Sequence, residues 1–422
     1  MRQSRVGGGL LQLVAHALFC TLFWALLATG AAGQTGKEGP AGAAGAAEED
    51  FPAVDPYTKG KPELVKQAGY VTLEPFTFAE GIQAQDMVEV LGGIELLWAE
   101  TEHFKICSSL KTYKSKADQI ENDALDRDIA QLTKKLSTFK NQRGAKIDPW
   151  LRLHLYALRL ERLYTEFCQS TGFTDADFPP LGKTTEMGSG PWLGQKLKPT
   201  ILLSEKSSTL ARFTRQYTKR EETFSSRFYL PGGSMFFGIS AEALRENGFE
   251  LDNALHCAVA ASVVSNFLDG LRENGWSSPL WLNVGMGHWF CRRIDERFTF
   301  YADGTSRGQG DQYEWKPRVR SLVDNKFEYS WNDMLATQEW KQLTPQAHLL
   351  IWSRIDWMMD QQPAAMRKFL GPVTVKLSVE KPEERVKLLV ERAKAGFVAG
   401  YGKTPEECET AWRAWVRKKY DR

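Results

Sequence analysis

Apolar residues recur along this chain with two periods, near 3.6 and near 2, and the alternation between them predicts an α+β protein. Lys116 to Phe139 is highly charged, with Ile120, Leu125, Ile129, Leu132 and Leu136 at helical spacings, which predicts an amphipathic helix with a solvated face. Asp148 to Thr171 carries a stronger stripe: Leu151, Leu155, Leu158, Leu163 and Phe167. Met87 to Leu110 alternates in places and predicts two strands. PTILLS (Pro199–Ser204) reads as a buried strand and Ser208–Gln216 as a helix. SMFFGIS (Ser234–Ser240) reads as a strand after the Pro231-Gly232-Gly233 turn. Asp252 or Asn253 is suited to cap a helix through about Leu271, and a second helix follows Pro279 to about Glu296. Beyond the polar, Gly-rich loop after Asp303 the pattern is helical: Trp331–Trp340, Pro345–Met359, Ala364–Leu370, Pro382–Ala395 and Pro405–Lys419. The tryptophans concentrated there are expected as core packing.

The N-terminus departs from this patterning. Arg2 and Arg5 precede an apolar run, Leu10–Leu27, and a small-residue tail, ATGAAGQ, which is the layout of a secretory signal. Cleavage near Ala32 is expected, giving a periplasmic or extracellular product, with an uncleaved anchor as the alternative because the run approaches membrane-spanning length. The expected divisions are residues 1–33 as signal, 34–50 as a Gly/Ala-rich tether, 51–185 as an N-terminal α/β and helical segment, 186–302 as the core, and 303–422 as a helical C-terminal region. Charge adds little: in 422 residues, 54 Lys and Arg nearly cancel 52 Asp and Glu, so nothing points to nucleic acid. Without the signal, five widely spaced cysteines remain, with no CxxC pair, which suits buried free thiols better than a disulfide framework or a structural zinc knuckle.

Candidate chemistry sits on two helices. Gluzincin peptidases bind zinc through two His residues at i and i+4 on one helix, use the Glu after the first as general base, and take a third ligand from a Glu in W-L-x-E-G on a following helix. Here LHCAVAASVVSNFL (Leu255–Leu268) and PLWLNVGMGHWF (Pro279–Phe290) occupy those places. His256 stands at the first ligand, Cys257 at the base, Ala260 at the second ligand and Val284 at the third.

The order of elements resembles secreted bacterial gluzincin-like (peptidase MA-type) domains over roughly Glu100 to Tyr420. TEHFKI (Thr101–Ile106), LRLERLYTEF (Leu158–Phe167), PTILLS, SMFFGIS, LLIWSRIDWMM (Leu349–Met359) and TPEECETAWRAWV (Thr404–Val416) carry the likeness. The resemblance implies a zincin-like fold, with a small mixed sheet against two active-site-type helices, and SMFFGIS as the edge strand above the metal position. Of the family's functional residues only His256 matches, so the resemblance implies the fold without the activity: an exported, inactive peptidase relative that binds or scaffolds.

Other readings stay open from sequence. His256, Cys257, His288 and Cys291 offer mixed ligands for a rebuilt zinc site, although adjacent His256 and Cys257 point about 100° apart on a helix, which leaves His256, His288 and Cys291 as the set. Cys257 with His288 offers a thiol hydrolase, although that thiol sits inside a helix rather than at its N-terminus. The bland alternative is that His256 and His288 hydrogen-bond each other or a carbonyl. If catalysis is gone, a groove lined by Met235, Phe236, His288 and Trp289 could hold an extended peptide along Ser234–Ser240, the alternative being a purely structural domain whose groove is filled by Met235, Phe236, Met286 and Trp289.

Overall fold

The structure, a computed structural model, describes residues 52–139, 146–180, 188–272, 278–300, 314–374 and 381–420. The expected signal, tether and Gly-rich loop after Asp303 lie outside them. All described residues belong to one compact unit, Glu49–Arg422. None of their helices is long and apolar enough to cross a membrane.

The protein is α+β. In chain order the helices and strands are α1 (Pro62–Gln67), α2 (Ala84–Val90), β1 (Leu97–Glu100), β2 (Lys105–Ser108), α3 (Gln119–Lys135), α4 (Pro149–Thr171), β3 (Thr200–Ser204), α5 (Ser207–Thr218), β4 (Ser225–Tyr229), β5 (Met235–Ser240), α6 (Ala241–Glu246), α7 (Asp252–Gly270) and α8 (Leu280–Ile294). A helical C-terminal region follows: α9 (Trp315–Asp324), α10 (Trp331–Ala336), α11 (Pro345–Met359), α12 (Pro363–Val373), α13 (Pro382–Tyr401) and α14 (Pro405–Lys419). Met87–Val90, expected in a strand, closes α2 instead, where Gln83 and Asp86 form a reciprocal cap.

The five strands form one mixed sheet in the order β1-β2-β3-β5-β4. β2, β3 and β5 run parallel, and β1 and β4 are antiparallel to their neighbours. Alternate side chains feed two cores, as the period of two requires. Ile106, Ile201, Leu203, Phe237 and Ile239 join the large core with α4, α7 and α8. Cys107, Leu202 and Phe236 join a smaller aromatic core with Phe78, Leu210 and Phe213. Covering both faces explains why Ile201-Leu202-Leu203 is an unbroken apolar run and why every residue of β3 is buried.

SMFFGIS is not an edge strand. β5 pairs with β3 on one side and with β4 on the other, so both its hydrogen-bonding edges are taken, and the expected peptide pairing along Ser234–Ser240 has no free edge to use. The edge on this side of the sheet is β4, SSRFY, joined to β5 through Leu230-Pro231-Gly232-Gly233-Ser234, where Gly232 and Gly233 have φ of 80° and 87°.

α4 begins at Asp148, whose carboxylate caps Leu151 N at 2.9 Å, and ends at Gly172 in the left-handed region. α7 is capped neither by Asp252 nor by Asn253. The carboxylate of Glu121, on α3 and fully buried, accepts from Asp252 N at 2.6 Å and Asn253 N at 3.3 Å, an anion at a helix N-terminus. Asp252 itself pairs with Arg152 and Arg159 of α4. α8 is held on two sides through glycines. A Cβ at Gly287 would stand 3.3 Å from Ala261 O on α7, and one at Gly285 would stand 2.4 Å from Ile355 Cγ1 on α11.

Candidate functional site

Packing α8 on α7 divides the sequence-predicted residues between two separate cavities. The first, of about 80 Å³, is lined by Ala261, Ser262 and Ser265 of α7, Val284, Gly287 and His288 of α8, Arg227 of β4 and His348 of α11. Arg227 fixes β4 over α7: its Nε donates to Asn266 Oδ1 at 2.6 Å and its Nη2 to Asp269 Oδ2 at 2.7 Å. Asp269 Oδ1 in turn accepts from the backbone and hydroxyl of Ser278, which ties the approach to α8 to the same point. The cavity adjoins a larger groove of about 450 Å³ along Arg227, Phe228 and Tyr229, with Met235, Leu280, Asn283 and Trp340 among its walls. Tyr229 OH and Asn283 Oδ1, both buried, have no hydrogen-bond partner among the described residues.

The second cavity, of about 220 Å³, lies between α3, α4, α7 and α8 and is lined by His256 with Arg127, Asp128, Arg159, Arg162, Glu166 and Arg293. His256 therefore does not meet Val284, nor does it meet His288. On an α-helix Ala261 and Ser265 differ by about 40° in direction, whereas His256 lies about 140° from Ala261. The α7 residues that share a cavity with Val284 are Ala261, Ser262 and Ser265, and His256, expected beside Val284, lines the other one.

Several other sequence-predicted residues are placed differently from expectation. Phe236 points to the opposite side of the sheet, stacked on Phe213 with centroids 4.6 Å apart, because it alternates with Met235. Trp289 donates to Asp356 Oδ1 at 3.0 Å and lies beneath Arg293, lining neither cavity. Met235 and His288 do line the groove and the first cavity respectively. Ala260 is buried and lines neither.

Burial keeps His256, Cys257 and His288 in their neutral forms. His288 Nε2 and His348 Nδ1 are 2.9 Å apart, so the partner of His288 is on α11 rather than being His256. Burial, then His348 and Arg292, hold the His288 imidazole well below its usual range. Burial, then Arg159 and Arg162, do the same to His256 against the pull of Asp252. Cys257 is 1% exposed, burial pushes its thiol well up, and it donates to the carbonyls of Cys291 at 3.3 Å and Asp295 at 3.8 Å. A protonated, enclosed thiol used as a donor is a packing group, not a nucleophile. Cys291 is likewise buried, donating to Phe298 O at 3.3 Å. The five described cysteines are free thiols. Among the described residues no group of three or more His, Cys, Asp or Glu side chains converges as ligands for a metal ion.

Sequence reasoning missed β4 and the groove beside it. A signal was present: SSRFYL and SMFFGIS flank Pro-Gly-Gly, the layout of a hairpin. No protein-family model, curated protein or solved structure matches the chain.

Proposed function

We propose that the chain is an exported, catalytically inactive relative of gluzincin-type metallopeptidases on a zincin-like frame, which binds an extended peptide without cutting it. The observation that carries this reading is the convergence of Ala261, Ser265 and Val284, with Ser262 beside them. Two residues at i and i+4 on one helix with a third from the next helix form the arrangement of a gluzincin ligand set, and the residue after the first is the base. In that register the ligand positions hold alanine, serine and valine, and the base position holds serine. A methyl or isopropyl group offers no lone pair. A neutral serine hydroxyl is a poor substitute for imidazole or carboxylate, so the open three-ligand geometry that acidifies a bound water cannot form from these side chains. Zinc is not expected there.

The groove retains what peptide binding needs. β4 has no strand on its outer side among the described residues, so its main-chain donors and acceptors are open to β-augmentation. Tyr229 OH and Asn283 Oδ1 add a donor and an acceptor without partners, and Trp340, 43% exposed, adds an apolar lip. The export part rests on the signal-like layout of residues 1–33.

The test is to purify the chain without chelator, determine zinc by elemental analysis, and add a tryptic digest of casein while following amide exchange in Ser225–Tyr229. Zinc well below one per chain, an uncut digest and slowed exchange at β4 are expected. Stoichiometric zinc or a cleaved digest would overturn inactivity, and unchanged exchange would overturn peptide binding along β4.

A further inference from the structure

The cavity on the other side of the α7–α8 pair is built for a different ligand. Arg127 of α3, Arg159 and Arg162 of α4 and Arg293 of α8 supply four guanidinium groups, against two carboxylates, Asp128 and Glu166. Asp128 is fully engaged: Oδ2 accepts from Arg159 Nε at 2.8 Å and Oδ1 from Arg162 Nη1 at 2.6 Å. Arg159 also gives Nη1 to Asp252 Oδ2 at 2.5 Å, which leaves its Nη2. Arg159 is only 1% exposed, and that Nη2 is buried without a hydrogen-bond partner. An unpaired N–H of a buried cation is costly, and the cavity it borders has room for an acceptor. The His256 ring, 7% exposed, has no hydrogen-bond partner among the described residues and lines the same space. Arg127 and Arg293 are exposed, form no ion pair among the described residues, and stand at the rim. Leu163, Phe290 and Ile294 form an apolar wall beside the charges.

We infer that this cavity binds a phosphate group, free or as the monoester of a small organic molecule. Among the lining residues four guanidinium groups outnumber two carboxylates, and Asp252 behind the wall is shared between Arg152 and Arg159, so the cavity keeps a positive surplus that suits a phosphate anion. Guanidinium forks meet phosphate oxygens in a bidentate geometry that ammonium groups do not reproduce. The apolar wall would contact the organic part of a monoester and would contribute nothing to inorganic phosphate.

The experiment is isothermal titration of the full chain with inorganic phosphate and, separately, with phenyl phosphate, in a chloride buffer. One site per chain is expected with a Kd at or below ~1 mM. Arg127→Ala combined with Arg293→Ala should weaken binding by at least ~10-fold with little change in melting temperature, since both side chains are exposed and form no ion pair among the described residues, and Arg293 gives up only its stacking on Trp289. Phenyl phosphate binding more tightly than inorganic phosphate would support a monoester, and equal affinities would support free phosphate. No saturable binding of either probe up to ~10 mM, or binding that the double variant leaves intact, would overturn the inference.

Discussion

The two sides of the α7–α8 pair are opposites. Facing β4, the cavity is lined by Ala261, Ser262, Ser265 and Val284, small or apolar and uncharged. Facing α3 and α4, the same helices border Arg127, Asp128, Arg159, Arg162 and Arg293, with the buried pair Asp252 and Arg159 behind them. His256, the one residue that matched the expected motif by sequence, belongs to the charged side. A histidine in the expected place of a motif says nothing of function until the helix face it occupies is known.

If charge is what organises the second side, removing it should cost the most. Asp252→Ala leaves Arg152 and Arg159 buried beside a missing carboxylate and should lower unfolding free energy by about 3–5 kcal/mol. Ser262→Ala on the first side should change it by less than about 1 kcal/mol. Urea unfolding of the two variants measures both, and similar losses would break the contrast. Next in size is a test of the register. Ala261→His, Ser265→His and Val284→Glu together should raise zinc affinity ~100-fold or more over the native chain. Ala260→His with Val284→Glu, which completes the set around His256, should not. If the second variant binds zinc and the first does not, the face assignment is wrong.

A smaller effect separates the two supports of α8. Gly285→Ala drives a methyl into Ile355 and Ile351 and should cost about 1–3 kcal/mol, because a packed core yields little. Gly287→Ala meets Ala261 O at 3.3 Å, a contact that relaxes with a slight shift, and should cost less. Thermal melts of both decide it. Equal costs would mean that α7 and α11 grip α8 alike.

These contrasts also explain what the sequence could and could not reveal. α3, α4 and α8 announced themselves because each alternates apolar and polar faces or carries a start signal such as Asp148 or Pro279. α7 is buried on every side, so its apolar pattern has no preferred face and gives no clue to which i, i+4 pair meets α8. His256 therefore drew the alignment to itself. The cap of α7 was illegible for another reason: Glu121 comes from a helix far earlier in the chain, a pairing that only tertiary structure creates. β5 was legible as a strand, but its neighbours were not, because β4 is short and half polar.

The smallest effect concerns the charged network where it reaches α4. His103 Nδ1 lies 2.6 Å from Glu161 Oε2, and its ring stacks on Tyr164 at 3.8 Å. Burial lowers its pKa, but hydrogen bonds to Asp175 and Glu161 outweigh burial and raise it from 6.5 to about 9. A histidine whose folded pKa is raised contributes stability that is fully present below its unfolded value and is lost as pH rises through the folded one. The melting temperature of the native chain should therefore exceed that of His103→Gln at pH ~6, and the gap should close by pH ~9.5. Carboxylates move the other way: Glu161 is held below its usual value by His103 despite burial, so its contribution fades on acidification instead. A gap that widened with rising pH would mean that His103 is neutral in the folded protein. The ion-pair character of this side would then end at Arg159 and Asp252 instead of running along α4 to the start of β2.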